Sequence, residues 1–310
     1  MVEGQTLQLN QELKEGVYMI TIRLADDVES IARFMAAMNG KADQHVGYCG
    51  TQAEEIYHTL CHDFSELPLE QSMVAAYEED ELIGVLGLDI DEEQHTAEIW
   101  GPFVSHPKWE EMSQLMWNRL LSQIPVALTT AYGFYNAKHG YAASLMSRLG
   151  AERIGEHTVL RFQRDILEIE KPENILIEAL TERHYSDFKL LHQAAFKEAY
   201  YSAEEILSQV DSTHKVFAAI HDDKLIGYVY TEAEPAFEEG HIHFIAVDPA
   251  ARKQGLGTAL LRHALSFLMS FDAITSLSLC VNQSNQGVMS IYERAGFERL
   301  YELVNYRIHV

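Results

Sequence analysis

The chain has 310 residues, of which 47% are hydrophobic, and a formal net charge of −24. That length exceeds a usual single domain and allows two cores, while so negative a field excludes a general binder of nucleic acid or anionic membrane, which needs the opposite sign. It suits cationic acceptors such as amines or basic peptides, although simple solubility accounts for most of the carboxylates.

Alternation and helical spacing of the apolar residues give the elements in chain order. A strand is predicted over 17–24, helices over 28–39 and 52–63, and two alternating strands over 73–77 and 82–90, joined by the acidic turn Glu78-Glu79-Asp80-Glu81. A strand over 97–104 precedes Pro107 and a helix over 109–121, followed by a strand over 126–131, a helix over 142–149 and a closing strand over 153–162. The second half repeats that order. It offers a strand over 175–179, helices over 182–199 and 203–209, and a hairpin of 216–220 with 225–230 across Asp222-Asp223. A strand then runs into Val247, followed by a helix after Gly257, a strand over 277–281, a helix ending at Ala295 and a strand over 300–308.

Marker sequences recur at an offset that drifts only by loop lengths: Leu82-Ile83-Gly84 answers Leu225-Ile226-Gly227, Pro107 answers Pro249, and Leu149-Gly150-Ala151 answers Ala295-Gly296-Phe297. Two copies of one domain are therefore expected, 1–165 and 173–310, joined by a charged linker over 164–174 that contains Lys171-Pro172. Hairpins first and βαβ units after imply an α/β fold of the α+β kind in each copy, a mixed and mostly antiparallel sheet flanked by helices.

The stretch Val247-Asp248-Pro249-Ala250-Ala251-Arg252-Lys253-Gln254-Gly255-Leu256-Gly257-Thr258 joins an apolar strand to an apolar helix. The first N–H groups of a helix lack partners within it and its dipole favours negative charge, so main chain alone can hold a phosphate there if no side chain crowds it. Gly255 and Gly257 supply the clearance, and Arg252 and Lys253 add charge. Glycines after a strand also serve ordinary tight turns, and this spacing is neither a dinucleotide-binding G-x-G-x-x-G nor a P-loop. Further on comes Asn285-x6-Tyr292-x3-Gly296-Phe297, whose Asn285 and Tyr292 project from one helix face.

Together and in this order, Arg252-x-x-Gly255-x-Gly257 and the Asn285/Tyr292/Gly296-Phe297 pattern resemble the two signatures of the GNAT family, the N-acetyltransferases that use acetyl-coenzyme A. The resemblance covers about 173–310 by motif and about 15–165 by architecture only. It implies acetyl-coenzyme A as cosubstrate, with no metal. It also implies that Arg252, Lys253, Gln254, Gly255, Leu256, Gly257 and Thr258 cradle the pyrophosphate and that the backbone of Ala246 and Val247 meets the thioester arm. Asn285 would bind the pantetheine and Tyr292 would protonate the departing sulfur. From the residues alone, Tyr292 is equally an aromatic core residue and Asn285 an N-cap. Val288 stands where members of the family commonly carry alanine.

Matching Pro107 to Pro249 puts Glu110 and Glu111 in place of Arg252 and Lys253, and Ser113 and Leu115 in place of Gly255 and Gly257. Carboxylates repel a phosphate and leucine blocks close backbone approach. Matching Gly150 to Gly296 puts His139 and Met146 in place of Asn285 and Tyr292, so the proton donor is gone. The first copy is read as degenerate, a scaffold or a wall of the acceptor pocket; its aromatic run Tyr132-Gly133-Phe134-Tyr135 would line that pocket or pack in the core.

Acyl transfer to an amine also needs a base. His241 falls six residues before Val247, where some members of the family place a glutamate, and His243 points to the same face by strand alternation; packing or surface roles for both stay open. Cys280 lies in a strand without a nearby His/Asp arrangement and reads as a buried small hydrophobe, with an acyl-accepting nucleophile as the alternative. His58, Cys61 and His62 share a helix face and read as packing or as a partial zinc set. Cys49, Cys61 and Cys280 are too few for a disulfide framework, the first ten residues lack an apolar leader, and no stretch reaches the ~18 apolar residues of a membrane span. A cytoplasmic N-acetyltransferase acting on a small amine or peptide by direct transfer in a ternary complex is expected; a non-catalytic acyl-coenzyme A sensor or protein-interaction module is the alternative.

Overall fold

The acidic turns close the hairpins with left-handed backbone: φ is positive at Glu79 and Asp80 and again at Asp222 and Asp223, the geometry whose twist matches that of the flanking strands. In the computed structural model, which describes residues 7–9, 20–25, 27–164, 176–197, 199, 201–236, 238–284 and 286–310, the chain divides into two compact units. One comprises Met1–His157 with Tyr301–Val310, and the other Thr158–Leu300.

The first unit holds β1 (Leu7–Leu9), β2 (Ile20–Leu24), α1 (Val28–Asn39), α2 (Ala53–His62), α3 (Leu69–Ser72), β3 (Met73–Glu78), β4 (Glu81–Asp91) and β5 (Thr96–Val104). These are followed by α4 (Trp109–Gln123), β6 (Thr130–Asn136), α5 (Gly140–Arg148) and the start of β7 (Glu152–Gln163). Strands β1 to β6 are neighbours in sequence order. Pairing is antiparallel except between β5 and β6, which run parallel from Thr96 opposite Thr130. Asp27 caps α1 by accepting from the Ser30 N–H at 3.1 Å, and its Ile31 and Met35 are buried with Met112, Met116 and Leu120 of α4 in one core with Val85, Leu88 and Ile99 of the sheet.

The second unit holds β8 (Leu176–Ala179), α6 (Tyr185–Ala195), α7 (Ala203–Gln209), β9 (His214–His221), β10 (Lys224–Glu234), β11 (Glu239–Val247), α8 (Leu256–Leu268), β12 (Ser276–Asn282) and α9 (Gln286–Ala295). Four of its strands form an antiparallel sheet in the order β11-β10-β9-β8. One face buries Leu256, Leu260 and Ala264 of α8 against Phe217 and Val229. The other buries Phe188 of α6 and Ile206 of α7 against Tyr228, Tyr230 and Phe244. Ser202 and Glu205 form a capping box at the start of α7. β12 stands outside this ladder, its Leu277 and Val281 buried with Leu160 and Phe162 of β7.

The expected fold class is observed, and three placements differ. The closing strands depart from the expected division at 165 and 173. Leu160 and Phe162 of β7 belong to the second core, while β13 (Glu298–His309) pairs with β6 of the first unit from Leu303 opposite Asn136 to His309 opposite Thr130. The strand expected at 126–131 is Thr130–Asn136, because the aromatic run carries the alternation: Ala131, Gly133 and Tyr135 are buried and Tyr132 and Phe134 only half-buried. The helix expected over 182–199 ends at Ala195, where Phe196 turns to φ −132°. The expected linker falls, apart from Arg164, outside the described residues. Among the described residues no helix is long and apolar enough to cross a membrane.

Candidate active site

The cradle is built as a strand, a tight turn and a helix start. The Asp248 carboxylate accepts from the Ala250 N–H at 2.8 Å, and the Arg252 Nε donates to the Val247 carbonyl at 3.0 Å. Lys253 and Gly255 have φ of 62° and 82°, and Gly255 is the N-cap of α8. The two glycines do different things. A Cβ at Gly255 would meet nothing within 4 Å, so its requirement is the left-handed backbone; a Cβ at Gly257 would make only an ordinary contact with Ile291 at 3.6 Å, so the fold does not require glycine there and its absence of a side chain leaves the cleft open.

β11 is the edge strand of its sheet and β12 is not hydrogen-bonded to it, so the N–H and C=O groups on the open side of β11 face a gap. A cleft of about 860 Å³ occupies that side, within the range of small-molecule sites, roughly 300–1,000 Å³. Of the expected residues, Ala246, Val247, Arg252, Lys253, Gly255, Leu256, Gly257, Thr258 and Tyr292 line it. Gln254 is exposed and does not line it, nor do His241 and His243. Asn285 lies outside the described residues. The sequence reading missed Phe196, just past the end of α6, and Ser290 and Arg294 of α9, which also line the cleft.

Tyr292 packs its ring edge-on against Phe297, centroids 5.2 Å apart. Desolvation raises its phenol above the ordinary value, so the hydroxyl is a protonated donor at neutral pH. Among the described residues nothing hydrogen-bonds that hydroxyl.

Strict alternation would put His241, His243, Ile245 and Val247 on one face of β11. A bulge breaks it: Tyr230 pairs with Phe244 and Thr231 with Ile242, leaving His243 as the extra residue. His243 thereby turns to the α6/α7 face, stacked on Tyr230 at 5.2 Å and beside Tyr201 at 5.8 Å, while Ile245 and Val247 pack on the α8 side. There His243 Nε2 meets one Glu232 oxygen at 2.7 Å and His214 Nε2 meets the other at 2.9 Å. His214 Nδ1 continues to Asp211 at 3.1 Å. Desolvation works to raise the Glu232 carboxyl; the hydrogen bond from His243 and the charges of both imidazoles outweigh it and hold the group below its ordinary value. An ionised carboxylate only accepts, so both imidazoles donate to it. Glu232 was invisible in sequence because it reaches His243 only across the β10–β11 hairpin.

His241 instead sits with Glu234 and Glu239 at 3.6 and 3.5 Å, partly exposed. One ligand atom from each of the three lies within 4.8 Å of the others, spacing that a cation could bridge. The His58 and His62 rings lie tilted against each other with centroids 4.7 Å apart, and with Cys61 they bring no such trio of ligand atoms together among the described residues. Cys280 is exposed and not the buried hydrophobe expected; desolvation by packed neighbours still pushes its thiol up to about 11, so it is no thiolate nucleophile at neutral pH. Tyr135 of the aromatic run is a core residue, fully buried and donating to the Gly101 carbonyl at 2.8 Å.

In the first unit the helix starts give a different register from the prolines. α4 begins at Trp109 after the N-cap Lys108, and α8 begins at Leu256 after the N-cap Gly255. Glu110, the second helical residue, therefore answers Gly257 and not Arg252, because the first unit's loop is shorter. Its carboxylate accepts from Arg148 Nη1 at 2.8 Å and from Ser144 Oγ at 3.1 Å. His139 and Met146 are buried, and desolvation pushes His139 down to about 4.

Residues 176–297 match the acetyltransferase (GNAT) family model. Mycothiol acetyltransferase of Rhodococcus jostii (strain RHA1) is 25% identical over 186 residues, 53% of this chain and 60% of the relative. That of Streptomyces scabiei (strain 87.22) is 27% identical over 173 residues, 51% of this chain and 55% of the relative. The chain thus matches less than two thirds of the length of these relatives. Among solved structures, a GCN5-related N-acetyltransferase from Sphaerobacter thermophilus aligns with TM-score 0.65 at 20% identity, covering 94% of this chain and 95% of that one. A tandem GNAT protein from the clavulanic acid biosynthesis pathway aligns with TM-score 0.56 at 14% identity, covering 94% and 98%. With the glycine-opened helix start and Tyr292 on one cleft, residues 176–297 carry the match to the acetyltransferase (GNAT) family model, and the chain as a whole has a tandem GNAT-like fold.

Proposed function

We propose that the chain is an acetyl-coenzyme A-dependent N-acetyltransferase whose second unit binds the cofactor and transfers its acetyl group directly to a primary amine of a small molecule or peptide. The observation that carries this is the cleft on which an unencumbered helix N-terminus, two basic side chains, an open strand edge and a protonated tyrosine converge. The residues fit the group: Arg252, Lys253 and the α8 amides suit the pyrophosphate, in a chain whose overall charge would repel it. Bound acetyl-coenzyme A would supply the acetyl thioester. Tyr292 then donates its phenolic proton toward the sulfur, and open-edge amides of β11 near Val247 polarise the carbonyl. His243, its ring fixed by Nε2 donating to the ionised Glu232, would take the amine's proton at Nδ1 through a relaying water, since neither it nor His241 lines the cleft; His241 is tied to two partly exposed carboxylates.

Thiol release from acetyl-coenzyme A across an amine panel tests the reading. The acetylation for which the relatives are named puts mycothiol-type acceptors first, beside small amines, polyamines and peptides. Cofactor binding without release for any acceptor would make the unit a sensor. Glu110 stands at the helix position that Gly257 leaves without a side chain, so calorimetry is expected to give one acetyl-coenzyme A per chain; two equivalent sites would contradict a degenerate first copy.

Glu232→Gln keeps the side-chain shape and removes the charge that orients His243. It is expected to lower kcat at least about tenfold with the Kd for acetyl-coenzyme A unchanged; an unchanged kcat would leave the His–Glu–His array structural. A carboxyl held below its ordinary value adds stability above about pH 4.3 and loses it as the pH falls through the lowered value. The difference in Tm between wild type and Glu232→Gln should therefore close in acid.

A further inference from the structure

The two copies carry the same pair of side chains on their last helices. Ser144-x3-Arg148 on α5 and Ser290-x3-Arg294 on α9 both end two residues before a glycine of positive φ, Gly150 and Gly296. Spaced four apart, serine and arginine share one helix face.

In the first unit the occupant of that face is visible. Ser144 Oγ and Arg148 Nη1 each hold one oxygen of Glu110, and Arg148 Nη2 lies 3.4 Å from the Glu110 carbonyl. A carboxylate carried in the first turn of a helix is thus clasped by a Ser/Arg pair, the guanidinium and the helix dipole both favouring an anion there. In the second unit the carboxylate is missing, because the residue at the second helical position is Gly257. Ser290 and Arg294 nevertheless line the cleft beside it. The Arg294 side chain is tied to α9 by its own Nε, which donates to the Ser290 carbonyl at 3.0 Å, and Arg262 donates to the Arg294 carbonyl at 2.8 Å.

We infer that Ser290 and Arg294 clasp a phosphate group of the cofactor in the place that Glu110 fills in the first unit, so that the first copy carries a built-in stand-in for the ligand of the second. The inference rests on the acetyl-coenzyme A reading and assigns it two residues outside the glycine-rich turn. Phosphate oxygens are the shared chemistry, and either the pyrophosphate or the 3′-phosphate can supply them.

Calorimetry on the full chain with acetyl-coenzyme A and acetyl-3′-dephospho-coenzyme A is the test. Arg294→Ala is expected to weaken acetyl-coenzyme A about ten- to hundredfold, the loss of a charge-assisted contact, with Arg294→Lys between the two. Arg148→Ala, the matched change in the first unit, should leave affinity as it was. Equal losses on both ligands place the clasp on the pyrophosphate; a loss confined to acetyl-coenzyme A places it on the 3′-phosphate. Gly257→Glu, which imports the stand-in, should abolish binding while the melting temperature holds, and Arg294→Ala should then lower that temperature by removing the new ion pair. If wild type binds acetyl-coenzyme A and Arg294→Ala binds it equally well, this inference is overturned and the cofactor reading stands. If wild type binds none, the cofactor reading falls and takes the inference with it.

Discussion

Tyr292→Phe is expected to lower kcat by roughly 10²–10⁴-fold, the range for losing one general acid, with the Kd for acetyl-coenzyme A unchanged. The substitution removes one oxygen. The ring keeps its edge contact with Phe297 at 5.2 Å and its place on α9, so packing survives and only the proton donor is lost. Desolvation holds the phenol above its ordinary value, which keeps the donor protonated through neutral pH. Single-turnover thiol release, read where chemistry limits the rate, separates the proton from the packing. An unaltered kcat would leave Tyr292 a core residue, and protonation of the sulfur would have to come from solvent.

Gly257→Leu should weaken acetyl-coenzyme A by at least about tenfold, on the order of 1.4 kcal/mol or more. The helix start tolerates a side chain there. A Cβ finds Ile291 at 3.6 Å, an ordinary contact, and the backbone is not left-handed. The leucine would instead fill the room into which a ligand must come. At Gly255 the argument runs the other way: there is space for a side chain, but a φ of 82° strains any residue with a Cβ. Calorimetry checks the prediction once circular dichroism shows the variant folded. Unchanged affinity would mean that the phosphates lie elsewhere than over the second helical residue.

Elements were legible where two signals agreed. Helices at 28–39 and 203–209 match the structure to the residue because an apolar stripe coincides with a cap, Asp27 in one and the Ser202/Glu205 box in the other. The strand near 130 was displaced because Val126, Ala127 and Leu128 supply apolar content without alternation, and hydrophobicity alone does not set a register. In the site, the glycine turn was legible because its chemistry is local. The bulge at His243 was not, since an extra residue in one strand shows only against its partner, and it reverses every parity argument made across it. Glu110 was matched to the wrong residue because a proline marks the loop while the helix cap marks the functional register. Arg294 was within reach of the sequence: the Ser-x3-Arg spacing recurs in both halves, and a side-chain pair kept in both copies of a repeat signals a shared role.

The exchange of closing strands bears on how such a chain can be made. A ribosome that has delivered the first copy has delivered a sheet whose β6 edge stays open until residues 301–310 emerge, and an open edge invites pairing with other chains. Folding of the first unit is therefore gated by synthesis of the second, which already holds Leu160 and Phe162 as part of its own core. A break anywhere in 164–174 would leave residues 1–163 without the strand that pairs with β6, and residues 175–310 without Leu160 and Phe162 of their core. Through that dependence the first copy is needed by the chain whether or not it holds a ligand of its own.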